Sequence, residues 1–226
     1  MNKFKFKIKY DGSNYYYLIN NKLLISQEGN KIKIENKIIA HNLYREIKKF
    51  SNLKDLYNSN ILKILFFSFD ANHKIIKKYL FKYIDADTVC YRDSKKSELE
   101  IKQQKLWSPL IKNIELRYKI KLNIQYGIMP LKQNLDTKKK LVKVMNKLSK
   151  FSLCNFYFIT KITNSVIISL NLLEYNIKIK EALTMSRLEE EYNRFKWGKI
   201  DEEINILQKD QLFLKAIIKL EKIFRS

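Results

Sequence analysis

The chain has 226 residues, a formal net charge of +22, 46% hydrophobic and 13% aromatic residues, and only four Gly and two Pro. This is a folded chain long enough for one large domain or two small ones, and the composition excludes a disordered protein. Nearly all the positive charge is Lys. Only Arg45, Arg92, Arg117, Arg187, Arg194 and Arg225 carry guanidinium groups. With Ile, Asn, Tyr and Phe also abundant, the charge reflects A/T-rich codons more than a nucleic-acid surface built on bidentate arginines. Cys90 and Cys154 are too few for a disulfide framework and fit a reducing compartment.

Phe4, Phe6, Ile8 and Tyr10 alternate with lysines and predict a half-buried strand. Asp11 to Asn14 is a turn, Tyr15 to Ile19 a second strand, and Asn20-Asn21 a tight turn. Leu23 to Ile25 and Lys31 to Ile34 continue the meander, broken at Glu28-Gly29-Asn30. Ile39, Leu43, Ile47 and Phe50 predict a helix, and Ser51 to Asn60 reads as loop. Ile61 to Phe69 is read as helix, with Asp70 as cap of the next one through Ile76 and Leu80. Ser97 and Glu100 have capping-box spacing for a helix to about Tyr118, which Pro109 should kink or restart. Lys121 to Ile128 is extended before Pro130. Asp136 should cap a helix through Leu141, Met145 and Leu148. Two apolar helices follow, roughly Leu153 to Ile162 and Ser165 to Leu173. Only Lys161 is charged from Phe151 to Leu173, but recurring Ser, Thr and Asn argue for core helices instead of a membrane span. Asp201 should start a last helix. The expectation is an α+β fold: a strand-rich domain with one helix over 1–68, then a mainly helical domain over 69–226.

No glycine-rich phosphate loop or nucleophile elbow is present, and His41 and His73 lack metal-ligand spacing. Asp85-Ala86-Asp87 has no third ligand of a calcium loop. No enzyme, cofactor, metal or small-molecule substrate is therefore expected. The segment Tyr83 to Arg92, YIDADTVCYR, gathers acids, a threonine, a cysteine and an arginine in a turn-like joint. It reads as a capped connection in which Arg92 pairs with a carboxylate. Trp107 and Trp197 read as packing anchors.

The window from Glu181 to Asp210 has eight acidic and five basic residues, a net of about −3 in a strongly positive chain. Within it lies SRLEEEYNRFKWG, residues 186–198. As a single helix it aligns Ala182, Met185, Leu188, Tyr192 and Phe195 in one stripe, with Gly198 as C-cap. At about 100° per residue Glu190 then points away from the stripe, Glu191 lies on a flank, and Glu189 lies at its edge. A carboxylate at an apolar edge calls for a partner.

YIDADTVCYR (83–92), LWSPL (106–110), GIMP (127–130) and SRLEEEYNRFKWG (186–198), in this order, closely resemble one family. It is the chaperone family that assembles the catalytic F(1) sector of ATP synthase by holding its α subunit, in mitochondria and α-proteobacteria. The resemblance is specific from about residue 70 onward, and the N-terminal part matches only in its pattern of strands and a helix. The family's helix there typically ends in Glu-Trp, whereas this chain has Lys48-Lys49-Phe50, without the indole N–H or the acid. The resemblance implies no catalysis, an α+β domain before a helical one, and the unassembled α subunit as partner, shielded on its β-facing surface. By the same resemblance the partner-binding residues are Glu189 (the first Glu of LEEEY), Glu190, Arg187, Tyr192 and Trp197. The structural motif is Asp85, Asp87, Thr88, Cys90, Tyr91, Arg92, Trp107 and Pro109. A lysine-rich nucleic-acid-binding protein is the alternative function, although nucleic acid and stable membrane insertion are not expected. No signal-peptide pattern precedes the first strand, so the expected location is the bacterial cytoplasm, with the mitochondrial matrix as alternative.

Overall fold

The computed structural model describes the backbone over residues 4–197 and 202–226, and side chains over 4–196 and 205–226. In chain order the elements are β1 (Phe6–Tyr10), β2 (Tyr15–Ile19), β3 (Lys22–Leu23), β4 (Lys33–Ile34), α1 (Lys37–Ile47), α2 (Leu53–Asn58), α3 (Asn60–Asp70) and α4 (His73–Tyr83). Then come β5 (Tyr91–Arg92), α5 (Glu98–Tyr118), β6 (Gln125–Tyr126), α6 (Leu135–Lys147), α7 (Lys150–Thr163), α8 (Val166–Leu173), α9 (Ile179–Ser186), α10 (Leu188–Trp197) and α11 (Glu202–Arg225). The fold is α+β, a small strand-rich region followed by a mainly helical part. Two compact units emerge: Met1–Asn72 with Lys150–Asn155 and Lys215–Ser226, and His73–Ser149 with Phe156–Leu214.

In the first unit β2 pairs antiparallel with β1 along its length, and with β3 and β4 on its other side. Asn20 and Asn21 both take left-handed φ, 49° and 65°, the geometry that turns a hairpin without splaying its strands. Phe6, Tyr17, Ile19 and Ile34 supply the buried side of the sheet, and Ala40, Leu43 and Ile47 the buried side of α1. The Tyr17 hydroxyl, pushed up by burial, donates to the Ala40 carbonyl at 2.9 Å. Asn36 caps α1 through the Ile38 and Ile39 N–H groups.

Two expectations fail here. Residues 53–58 are helix α2, not loop. Asn52 caps them through the Asp55 N–H at 2.8 Å, and wholly buried Leu56 anchors them. Six residues with only Leu56 buried are too short a stretch to show a helical periodicity. Asp70 ends α3 instead of capping α4. Its carboxylate accepts from Ser26, the Glu28 N–H and Asn30, so it organises the 26–30 loop. These bonds hold the Asp70 carboxyl below its ordinary value, although its partial burial opposes them. Buried Glu221 accepts from Ser152 at 2.8 Å, Asn155 at 2.7 Å and Arg225 at 2.6 Å. Cys154 is a fully buried thiol pushed up to about 11 by desolvation, against a hydrogen bond with Ser68.

In the second unit α8 is buried all round and packs against α5. Its polar members are bonded internally: Ser169 donates to the Ser165 carbonyl, and Asn171 to the Ile167 carbonyl. Pro109 does not break α5, which runs uninterrupted over 21 residues. The proline lies on the exposed side of the helix, where water can reach the carbonyl it leaves free. Trp107, Leu110, Ile111 and Ile114 are buried and hold the other side. Asn134, not Asp136, precedes α6, and Asp136 sits in its first turn. Only Gln125–Tyr126 of the extended 121–128 segment is strand, paired in parallel with β5.

The helix read through 182–195 is two helices, with Arg187 between them at φ −115° and ψ 19°. The Ser186 hydroxyl takes the Leu183 carbonyl at 3.0 Å, a local bond that competes with helix continuation. The Arg187 guanidinium is paired with Asp210, and its carbonyl opens α10 by accepting from the Glu191 N–H at 2.8 Å. The single stripe is thereby split. Ala182 and Leu188 are buried, but Phe195 is 89% exposed. Gly198 and Asp201 lie outside the described residues.

Candidate functional site

The joint at 83–92 is a knot of caps. Asp87 is wholly buried and accepts from the Ser165 hydroxyl at 2.6 Å, the Ile167 N–H at 2.9 Å and the Val89 N–H at 3.1 Å. It thus satisfies the start of α8 and the short 3-10 turn Thr88–Cys90 together. Desolvation outweighs these donors and pushes its carboxyl up to about 6. Thr88 donates to the Asn164 carbonyl through both its N–H and its hydroxyl. Asp85 accepts from the Gln133 N–H at 2.9 Å and is paired with Lys138. The Tyr91 hydroxyl donates to the Asp85 carbonyl and accepts from the Leu131 N–H at 3.1 Å. Cys90 is a free, fully buried thiol, pushed well up by burial and then by the Asp87 charge.

Arg92 does not pair with a carboxylate as the sequence suggests. Its guanidinium is buried, donates to the Val89 and Tyr91 carbonyls, and lies 5.0 Å from the Trp107 ring. Among the described residues its Nη2 has no hydrogen-bond partner. Burial pulls the group down from its ordinary value, against the charges of Glu100 and Glu189 among others. The indole N–H of Trp107, 0% exposed, donates to the Met185 carbonyl at 2.9 Å, at the end of α9.

One helical turn before Trp107 stands Gln103, also 0% exposed. Its carbonyl accepts from the Asp93 N–H at 2.8 Å, and its amide donates to the Glu189 carboxylate at 2.7 Å. Glu189 as a residue is exposed, but the carboxylate that meets Gln103 is partly desolvated, and this raises it above its ordinary value. The Gln103 bond and the Arg92 charge oppose the rise, and the Asp93 and Glu190 charges add to it. Tyr192 donates to Glu98 at 3.0 Å, with Lys102 and Lys196 over its ring. Exposed Glu190 lines a cleft of about 330 Å3 with Ile162, Arg187, Glu191, Arg194 and Leu207.

Of the residues singled out in the sequence, Asp87 and Thr88 meet the start of α8, with Cys90 bonded back to Asp87. Arg92 lies against Trp107 of α5, Glu189 reaches α5 through Gln103, and Glu190 and Arg187 share the cleft. The Trp197 side chain lies outside the described residues. Sequence reasoning misses Gln103, yet a signal exists: it stands four residues before Trp107 and so shares the tryptophan's face of the helix. Among the described residues no group of three or more His, Cys, Asp or Glu side chains could hold a metal ion, and no helix is long and apolar enough to cross a membrane.

A family model described as the ATP12 chaperone protein matches residues 4–115. Over those residues the chain is similar to the ATP12 chaperone family. The match starts in the strand-rich region, where the sequence motifs alone carry only a pattern. The fold is similar to that of Atp12 from Paracoccus denitrificans, at TM-score 0.86 and 18% identity, covering 96% of this chain and 95% of the other. A mutant of P. denitrificans Atp12p is equally similar, with 94% of its chain covered. A candidate chaperone from Agrobacterium tumefaciens aligns at TM-score 0.83 and 15% identity, over 97% of this chain and 84% of the other. The GIMP and LEEEY motifs lie beyond the residues of the family match, but within a chain whose fold is shared almost throughout.

Proposed function

We propose that this chain is an assembly chaperone for the F(1) sector of ATP synthase, that it binds the unassembled α subunit, and that Glu189 is one of its contacts. An unassembled subunit exposes an apolar interface that would otherwise self-associate. A transient cap of moderate affinity covers it until the β subunit arrives. The observation that carries the reading is the setting of Glu189, an exposed residue whose carboxylate is held from beneath by a wholly buried amide. A carboxylate fixed in place has lost rotamer freedom before it meets a basic group of the partner, so less entropy is lost on binding. Glu190, Arg187, Tyr192 and Trp197 complete the proposed surface, and the cytoplasm of a bacterium is the proposed location.

Co-expression with the α subunit from the same source tests this. The wild-type chain should keep α soluble in a complex that survives moderate salt. Glu189→Gln should fold normally and lose most of that effect. An α subunit indifferent to the wild-type chain would overturn the reading. Retention of nucleic acid that falls steeply with salt would put the lysine surface in its place.

A further inference from the structure

We infer that Gln103 is the positioning residue for Glu189: a buried amide whose orientation is dictated from one side so that it presents a donor to the carboxylate on the other. This rests on the reading of Glu189 as a partner contact and names what sets it in place. The backbone N–H of Asp93 can only donate, so the Gln103 carbonyl must face it, at 2.8 Å. The amide nitrogen is then left facing Glu189, at 2.7 Å. An ionised carboxylate only accepts, so this arrangement favours the charged form of Glu189.

The loop on the far side of Gln103 is itself fixed. The Asp93 carboxylate accepts from the Ser97 hydroxyl at 2.8 Å, and the same hydroxyl caps α5 through the Glu100 N–H at 3.0 Å. Gln103 therefore cannot turn over without leaving the part-buried Asp93 N–H against its own amide hydrogens. Trp107, one turn further along α5, holds the Met185 carbonyl. Two buried polar side chains on one helix thus grip the α9–α10 junction on both sides of Arg187. The position of Glu189 is set by α5 as much as by its own helix.

The test uses the full chain with Gln103→Glu and Gln103→Met, beside Glu189→Gln. Gln103→Glu keeps the acceptor for Asp93 and removes the donor to Glu189, and Gln103→Met removes both. The readouts are the Glu189 carboxyl titration by carbon-detected NMR, the affinity for the α subunit, and thermal stability. In whichever Gln103 variant folds, the Glu189 pKa should rise, because the bond that opposes its desolvation is gone. Affinity for α should fall about tenfold, as for loss of a hydrogen bond to a charged group. An unmoved Glu189 titration, or α binding at wild-type strength while Glu189→Gln is defective, overturns the role of Gln103. Wild-type binding by Glu189→Gln itself overturns the reading of Glu189 on which it rests.

Discussion

Asp87 and Glu189 are both acids of motif-rich stretches, and the structure puts them to opposite uses. Asp87 is wholly buried, meets three donors and joins two segments distant in sequence. Glu189 is an exposed residue whose partly desolvated carboxylate meets one buried donor. An acid that serves the fold is surrounded, whereas one suited to a partner is held from behind and left open in front. Neither burial nor hydrogen bonding alone separates the two cases; the number of sides that are occupied does.

The largest expected effect on that contrast comes from Asp87→Ala. It strands two backbone N–H groups and a hydroxyl in the interior, and unfolding in urea should show a loss of at least about 3 kcal/mol. A pH series on the wild type sharpens the point. The Asp87 carboxyl stands at about 6 in the fold against 3.8 as its ordinary value, so the fold prefers it protonated. Its contribution is complete below about pH 4 and is lost as pH rises through about 6, by about 3 kcal/mol. The difference between wild type and Asp87→Asn should carry that slope; a flat difference from pH 4 to 6 would contradict it. Trp107→Phe leaves the Met185 carbonyl unpaired and should cost about 2 kcal/mol by the same measurement. Glu189→Gln should be the mildest, within about 1 kcal/mol of wild type, because the new amide still offers Gln103 an acceptor. A loss as large as that of Asp87→Ala would erase the contrast and leave Glu189 a structural residue.

Legibility in the sequence follows from how local each cause is. The Asn20-Asn21 hairpin and the Ser97 cap are written in neighbouring residues, and both are where the sequence places them. Beyond its Asn52 cap α2 is anchored by one buried leucine, too little for a pattern, and the fate of Asp70 rests on a loop 40 or more residues earlier. The α9–α10 break hides in a sequence of good helix formers. Arg187 leaves the helix where Asp210, 23 residues on, draws its guanidinium. The site was legible as a set of motifs but not as a set of contacts. Arg92 and Trp107 are conspicuous as rare residue types, while Gln103 is ordinary in every respect except its distance from a tryptophan.

The two buried cysteines give the molecule a pair of clocks. Each compact unit holds one, Cys154 in the first and Cys90 in the second, and each thiol is fully buried and disfavoured as thiolate. A thiol-modifying reagent can therefore reach either only when its surroundings open. The labelling rates of Cys154→Ala and Cys90→Ala proteins would time the opening of each unit separately, and adding the partner would reveal which one it closes.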